Sequence, residues 1–590
     1  MNAANWRLPF GASLIEPGRI RFRIWAPAQR SLSLAIAGCS PLPMTRRDNG
    51  WFEAEADCGA GTRYRYVLDD GMQVPDPAAR AQVGDVHGDS VVVDPSSYRW
   101  RQTDWRGLPW RDAVIYELHA GLLGGFNGVA RELPRLAALG FTAIELMPIA
   151  EFPGARNWGY DGVLPFAPES SYGMPDELKA LIDTAHEHGL MIFLDVVYNH
   201  FGPDGNYLHL YAPQMFRDDL VTPWGPALDF GRHEVRRFFV ENALYWLIEY
   251  RFDGLRFDAV HAICDPAWLD AMAAEVRRTV GSERHVHLVL ENDDNTARHL
   301  AGDLAGDFDA QWNDDGHHVL HVLLTGEHEG YYADYADAPA VRLARCLKDG
   351  FIYQGEPSAY RDGKKRGTPS AALPPTAFVL FLQNHDQVGN RALGERLTTL
   401  TRAEALEAAI ALQLLCPQIP LVFMGEDQAS PSPFLFFTDH NPDLAQAVRE
   451  GRRREFARFG QFSDPQQLKR IPDPNAPETF ERSRSAPRSA DVEKREGLYR
   501  RLLSLRRSEI VPRLDGARAL DANAVGPAAV LARWRMGDGA VLVLASNLGG
   551  AAAAIQPQPH RLLFSCSETA ARAVQTGRLE PCSTVALLAS

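Results

Sequence analysis

The sequence predicts an α/β protein, a (β/α)8 barrel flanked by an N-terminal and a C-terminal β-sandwich. Three observations predict it. Between about residues 112 and 425, eight short apolar runs alternate with helical stretches, the pattern of parallel strands joined by crossover helices. The first hundred residues instead alternate apolar and polar positions with a period of two, as half-buried strands do. After about residue 510 that shorter period returns. The shifts place the expected domains at 1–107, 108–510 and 511–590, a division that suits a chain of 590 residues, too long for one ordinary core.

Taken in order, "RIRFRIWAP" sets Ile20, Phe22 and Ile24 against Arg19, Arg21 and Arg23, and "TRYRYVLDD" alternates through Tyr64 and Tyr66. The barrel runs follow: "AVIYELHA", "FTAIELM", "LMIFLDVV", "FDGLRFDA", "HVHLVLE", "FDAQW", "AFVLFLQ" and "IPLVFMG". Helical patterns lie between them, among them "GVARELPRLAALG" and "PAWLDAMAAEVRRTV". Residues 460–495, rich in Pro, Ser, Asp and Arg, read as loop, and a helix is expected near 493–508. "AVLARWRM", "GDG" and "AVLVLASN" then read as a hairpin.

Composition excludes several classes. Lys+Arg of 61 against Asp+Glu of 75 gives a net charge of −14, which argues against non-specific nucleic-acid binding. No apolar run approaches the roughly 20 residues of a membrane span. "MNAANWRLPFGASL" shows no basic stretch followed by a long apolar run, so no signal peptide is expected. The 7 cysteines are odd in number and scattered, without a CxxC pair, which points away from zinc or a disulfide framework and toward the cytoplasm. Cys264 reads as a small buried residue.

Barrel chemistry gathers at the C-terminal ends of the strands. There the third run delivers Asp195, Asn199 and His200, the fourth Arg256 and Asp258, the fifth Glu291, and the seventh His385 and Asp386. A single Asp or Glu after a strand is commonly a helix cap or turn former. Three of them, each with an Arg or His beside it or in reach, fit glycoside cleavage better. That reaction needs one ionised carboxylate to attack carbon and one protonated carboxyl to release the departing oxygen. Arg256 and Asp258 are two residues apart and so share a strand face. The pair is either a solvated ion pair or an arginine holding a nucleophile in its charged form.

"DVVYNH", "GLRFDAVHA", the Glu291 strand end and "QNHDQ", in this order, resemble the four motif regions of the α-amylase family, glycoside hydrolase family 13, whose catalytic domain is a TIM barrel. The resemblance implies that Asp258 is the nucleophile, Glu291 the general acid/base and Asp386 the third acid. It assigns Arg256, His200, His385 and Tyr160 (in "NWGYDG") to the sugar at the cleavage site. Asn199 matches a calcium-binding position of some amylases, but no further acidic ligands stand with it, so neither a metal nor another cofactor is expected. His317–His318 are expected on a helix near the cleft rather than as metal ligands, since no third ligand is spaced nearby.

Longer stretches, "IELMPIAEFPGARNWGYDGVLPFAPESSYG", "AQWNDDGHHVLHVLLTGEHEGYYADY" and "FMGEDQASPSPFLFFTDH", resemble the trehalose-releasing members of that family over nearly the whole chain. The implied substrate is maltooligosyltrehalose, and the implied functional partner is a maltooligosyltrehalose synthase. Alternatives are a branching or debranching enzyme of the same family, or a non-catalytic glucan-binding module. Asp427–Gln428 depart from the family pattern after the eighth strand. Residues 312–318 and 426–440 are expected to wall the leaving-group site, and the basic loop "YRDGKKRG" is expected to be solvated.

Overall fold

The computed structural model describes residues 6–222, 225–263, 265–302, 308–457, 464–484 and 491–589. Cys264 and parts of the expected 460–495 loop lie outside the described residues. What is described of that stretch carries two short helices, Pro465–Leu468 and Pro477–Arg482.

Eight parallel strands close into a barrel in chain order. They are Ile115–Leu118, Ala143–Leu146, Met191–Val196, Gly254–Phe257, His287–Leu290, Ala310–Trp312, Phe378–Phe381 and Ile419–Phe423. Each falls inside one of the eight apolar runs. The runs are apolar almost throughout because parallel strands are buried on both faces. Every residue of these eight strands is buried.

Alternation sorts their side chains. Ile115, Ala143, Met191, Phe193, Val289 and Phe381 pack together as the floor of the barrel interior. Two residues further along the same inward rows stand Glu117, Glu145, Asp195 and Glu291. The interior therefore changes from apolar to ionisable within one step of the pleat, at the end where the loops emerge. Helices bridge the strands with legible signals. The helix Pro266–Val280 opens on Asp265, which caps the Trp268 N–H, has Pro at its first position, and is followed by Gly281 at φ 80°.

Before the barrel, two antiparallel sheets form a sandwich. One has four strands, and Arg19–Trp25 within it pairs with Trp51–Asp57, setting Phe22 opposite Ala54. The other has six short strands around Arg63–Val67. After the barrel, Arg518–Gly526, Ala529–Arg535, Val541–Asn547, Ser583–Ala589 and Arg561–Ser565 make a five-stranded sheet. The expected hairpin is its Ala529–Arg535/Val541–Asn547 pair. Among the described residues no helix is long and apolar enough to cross a membrane.

The N-terminal sandwich docks on the barrel helix His233–Leu244 and its extension. Trp6 donates to Glu241 at 2.7 Å, Phe10 meets Phe238 edge-on, and Arg80 pairs with Glu249 at 3.0 Å. The last pair is almost wholly buried, both side chains under a tenth exposed. Removing one member of a buried pair strands the other charge. Arg80→Met is therefore expected to destabilise the protein by about 3–5 kcal/mol, read as an earlier first transition in urea. A loss below about 1 kcal/mol would mean that Glu249 finds water and that the pair does not hold the two units together.

Candidate active site

Arg256 is the inward residue of the fourth strand and is completely buried. The ion pair suggested by "GLRFDA" is thus an interior one, not a solvated one. Its Nη1 donates to both oxygens of Asp195, at 2.8 and 2.7 Å, and to Asp258 Oδ1 at 2.9 Å. Its Nη2 lies 3.8 Å from Glu291 Oε2. The guanidinium stacks over the Trp312 ring, 4.1 Å from its centroid. One cation thus faces carboxylates from three consecutive strand ends.

Asp258 is held from a second side, since the Asn199 amide donates to its Oδ2 and to its backbone oxygen, both at 2.9 Å. The Asn199 amide nitrogen is thus spent on the Asp258 carboxylate and backbone. Among the described residues no cluster of His, Cys, Asp or Glu is arranged to hold a metal ion. Glu291 receives a 2.6 Å hydrogen bond from the Ala259 N–H. Ala259 reaches that position in the left-handed region at φ 41°, uncommon for a residue other than glycine. Burial pushes the Glu291 carboxyl up, and the neighbouring Asp258 charge adds to this against the opposing pull of Arg256.

His385 and Tyr160 complete a chain of contacts. His385 binds Glu117 through Nδ1, and its Nε2 lies 2.7 Å from the Tyr160 hydroxyl, which donates to Asp195 at 2.6 Å. Burial alone would lower the imidazole pKa, but Asp386 and Glu117 outweigh it and raise it to about 9. As an imidazolium, His385 donates to Glu117 and to the Tyr160 oxygen, which leaves the hydroxyl proton for Asp195. His200 donates from Nε2 to the Tyr160 backbone oxygen at 2.9 Å and so fixes the loop that carries the ring. Asp386, the most open of the three acids, accepts from Asn390 at 3.1 Å. The structure thus brings Asp258, Glu291, Asp386, Arg256, His200, His385 and Tyr160 together at one end of the barrel.

A cavity opens beside Glu291 and Asp386, with Trp312, Asp314, His318 and Arg366 among its walls. The comparisons agree with this architecture. Residues 95–213 match the model of the alpha amylase catalytic domain, and residues 517–586 match a domain of unknown function, DUF3459. A malto-oligosyltrehalose trehalohydrolase of Deinococcus radiodurans is 42% identical over 521 residues, covering 86% of this chain and 84% of that protein. The chain belongs to the malto-oligosyltrehalose trehalohydrolase family. A crystal structure of a Salmonella typhimurium protein is 44% identical, superposes with a TM-score of 0.93 and covers 99% of this chain and 100% of its own. A 1,4-alpha-glucan branching enzyme of Pseudoalteromonas atlantica is 35% identical over 275 residues only, 41% of this chain and 38% of its own.

Against the resemblance to this family, several expectations need correction or addition. Of the two expected wall segments, 312–318 lines the cavity and 426–440 does not. Asp427 is fully buried and spent on the Tyr116 hydroxyl and Arg135, so its departure from the family pattern bears on the packing of a helix. The "YRDGKKRG" loop is not merely solvated. Lys364 and Lys365 are exposed, but Arg366 is buried at the cavity wall, donating to Asp315 at 2.7 Å and to the Asp293 backbone at 2.7 Å. Arg361 reaches the same wall. Sequence reasoning left Asp195 without a role and passed over Glu117 and Glu145. Glu145 is the least expected, a buried carboxyl neither of whose oxygens has a hydrogen-bond partner.

The His385 assignment carries a pH consequence. Its pKa is raised on folding, so the stabilisation is complete below about 6.5 and is lost as pH rises through about 9. Glu117→Gln removes one of the two charges that raise it. The alkaline limb of the kcat/KM profile is expected to move to lower pH, together with the His385 titration followed by NMR. An alkaline limb that stays in place would separate His385 from the working site.

Proposed function

We propose that the chain is a retaining glycoside hydrolase that cleaves the α-1,4 bond beside the terminal trehalose unit of maltooligosyltrehalose and releases trehalose. The observation that carries the reading is the placement of Asp258 and Glu291 around one buried Arg256, at 2.9 and 3.8 Å, with a polar, aromatic-walled cavity beside Glu291. Retention requires two carboxyls roughly 5–5.5 Å apart, and both carboxyls face the same guanidinium, Asp258 at 2.9 Å and Glu291 at 3.8 Å.

In this reading Asp258 is the nucleophile. Its carboxylate attacks the anomeric carbon while Glu291 transfers its proton to the departing oxygen. The C–O bond breaks, trehalose leaves, and a glycosyl ester remains on Asp258. Water then attacks the same carbon, passing a proton to Glu291 and its hydroxyl to the sugar, which frees Asp258. The upward pull of burial on Glu291 suits its acid role. Asp386 binds hydroxyls of the distorted ring, and Tyr160, His200 and His385 surround that ring with Arg256 behind the nucleophile.

The branching-enzyme alternative ranks lower because that likeness covers less than half of either chain. A maltooligosyltrehalose synthase is the fitting functional partner, since a chain with an α-1,4 reducing end must first become one with an α,α-1,1 end. The cytoplasm is the fitting compartment. The six described cysteines are all free thiols, Cys346 and Cys416 buried among them.

Product chromatography tests the reading. With maltotriosyltrehalose, trehalose is the expected small product, and kcat/KM should exceed that for maltopentaose by at least about a hundredfold, about 2.7 kcal/mol of differential transition-state binding. Equal rates, or maltose as the main product, would place the protein among general amylases, and new α-1,6 branches on amylose would make it a branching enzyme. The role of Asp258 has its own check. Asp258→Asn keeps the shape and removes the charge, so turnover should fall by several orders of magnitude with the folded state intact. A variant keeping a tenth of the activity would mean another group attacks.

A further inference from the structure

One hairpin of the N-terminal sandwich reaches over to the loops at the catalytic end of the barrel. Its strands Gln82–Val83 and Asp89–Val91 pair antiparallel, and residues 84–88 form the tip. Hairpin tips are ordinarily solvated and polar. This one carries Val86, which is completely buried. Val86 packs with Val163, Leu164 and Ala167 of the barrel in a cluster apart from the larger cores.

The neighbours of Val86 meet the same loops. Asp85 Oδ2 accepts from the Gly154 N–H at 3.3 Å. His87 contacts the Tyr207 hydroxyl at 2.7 Å and Asp204 at 3.2 Å. Gly205 lies between those two partners at φ 81°, and a Cβ there would collide with the Val86 side chain. The tip is also braced from its own domain, since Arg65 donates to the His87 backbone oxygen and, at 2.6 Å, to Asp89. Asp85 adopts φ 147°, in the half of backbone space that suits glycine. Strain of this kind persists where the surroundings over-determine the conformation, and it gathers at functional sites.

These contacts converge on Tyr160. Gly154 and Val163 bracket it in the loop after the second barrel strand. Asp204, Gly205 and Tyr207 follow His200 in the loop after the third, and His200 holds the Tyr160 backbone oxygen at 2.9 Å. Within the barrel the Tyr160 loop leans on Asp439 through the Ala155 N–H and on the Leu435 oxygen through Trp158. The hairpin tip adds support from a second domain. Tyr160 needs it, because its hydroxyl must meet both Asp195 and His385.

We propose that residues 85–87 are positioning residues for the catalytic site, a wedge from the N-terminal sandwich that holds the Tyr160 loop in place, so that this domain takes part in the reaction without touching substrate. The proposal rests on the glycoside-hydrolase reading of Tyr160 and is independent of which leaving group is released.

A double-mutant cycle with Tyr160→Ala tests it. Val86→Ala empties the wedge. Asp85→Gly removes the Gly154 anchor and supplies the residue that φ 147° prefers, so relief of strain should offset the lost contact and hold the urea midpoint at the wild-type value. Each change should nevertheless lower kcat/KM about tenfold. The factor should be the same on maltotriosyltrehalose and on maltopentaose, because Tyr160 faces the sugar that both share. In the Tyr160→Ala background each should cost less than about twofold, since the group it positions is gone. Wild-type activity in both single variants overturns the proposal. So does a loss that persists undiminished beside Tyr160→Ala, which would mark a general loosening of the fold. A wild-type protein without preference between the two substrates sinks the trehalose-releasing reading instead, and the cycle is then read on either one.

Discussion

Everything at the top of the barrel depends on one buried cation. Arg256 lies inside a closed sheet with no exposure to solvent, and taking a charge out of water costs several kcal/mol even after relaxation. Asp195 and Asp258 offset that cost by accepting from the same nitrogen, and the face of Trp312 covers the guanidinium. The dependence is mutual. Without Arg256, two carboxylates would face each other in a low-dielectric interior, and the third, Glu291, would lose the cation 3.8 Å from its Oε2. A planar, permanently charged donor suits the position where a lysine would not, because its flat face stacks on Trp312 while its edge meets Asp195 and Asp258.

Carboxyls still outnumber cations, and burial raises several of them toward their neutral forms. Burial lifts Asp195 to about 7 and lifts Glu145 well above the usual carboxylate range, with Glu117 and Asp195 adding to the effect on Glu145. His385 moves the opposite way and gains a proton between Glu117 and Asp386. The same arithmetic raises Glu291. Crowding several buried acids around one arginine is a way to raise the carboxyl that must carry a proton, as burial raises Glu291. Asp258 has the direct 2.9 Å bond, whereas Glu291 stands 3.8 Å away.

How much of this was legible in the sequence follows from which signals are local. The eight strands were legible because a strand buried on both faces is an unbroken apolar run. The acids at strand ends were legible because Asp258, Glu291 and Asp386 interrupt or end those runs. Glu117 in "IYEL" and Glu145 in "IEL" were not, since a strand glutamate reads equally well as facing out. Only closure of the barrel, which pairs Glu117 with Glu145 in register, shows that both face inward. Arg366 was hidden for a related reason. It sits in a run of basic residues that looks solvated, and its partners Asp315 and Asp293 are more than fifty residues away. Asp427 shows the converse, a residue that looked like part of the pocket because it follows a barrel strand but is turned away to hold Arg135.

The two sides of the cleft are built differently, and the difference has a physical sense. On the Tyr160 side the polar groups are bonded to one another, from Glu117 through His385 and Tyr160 to Asp195 and Arg256. Such a network is stiff, and it gives the reacting sugar a preformed shape and a fixed field. On the Glu291 side, Trp312, Asp314 and His318 line the cavity, the Asp314 carboxyl has one long contact from Gln387, and the buried Trp312 N–H and His318 Nδ1 have no partner. A group already bonded to protein gains little from a ligand, whereas an unbonded one gains nearly a full hydrogen bond and loses it with the wrong ligand. Stiffness therefore belongs where the chemistry is the same for every α-1,4 bond, and under-bonding belongs where one leaving group must be told from another.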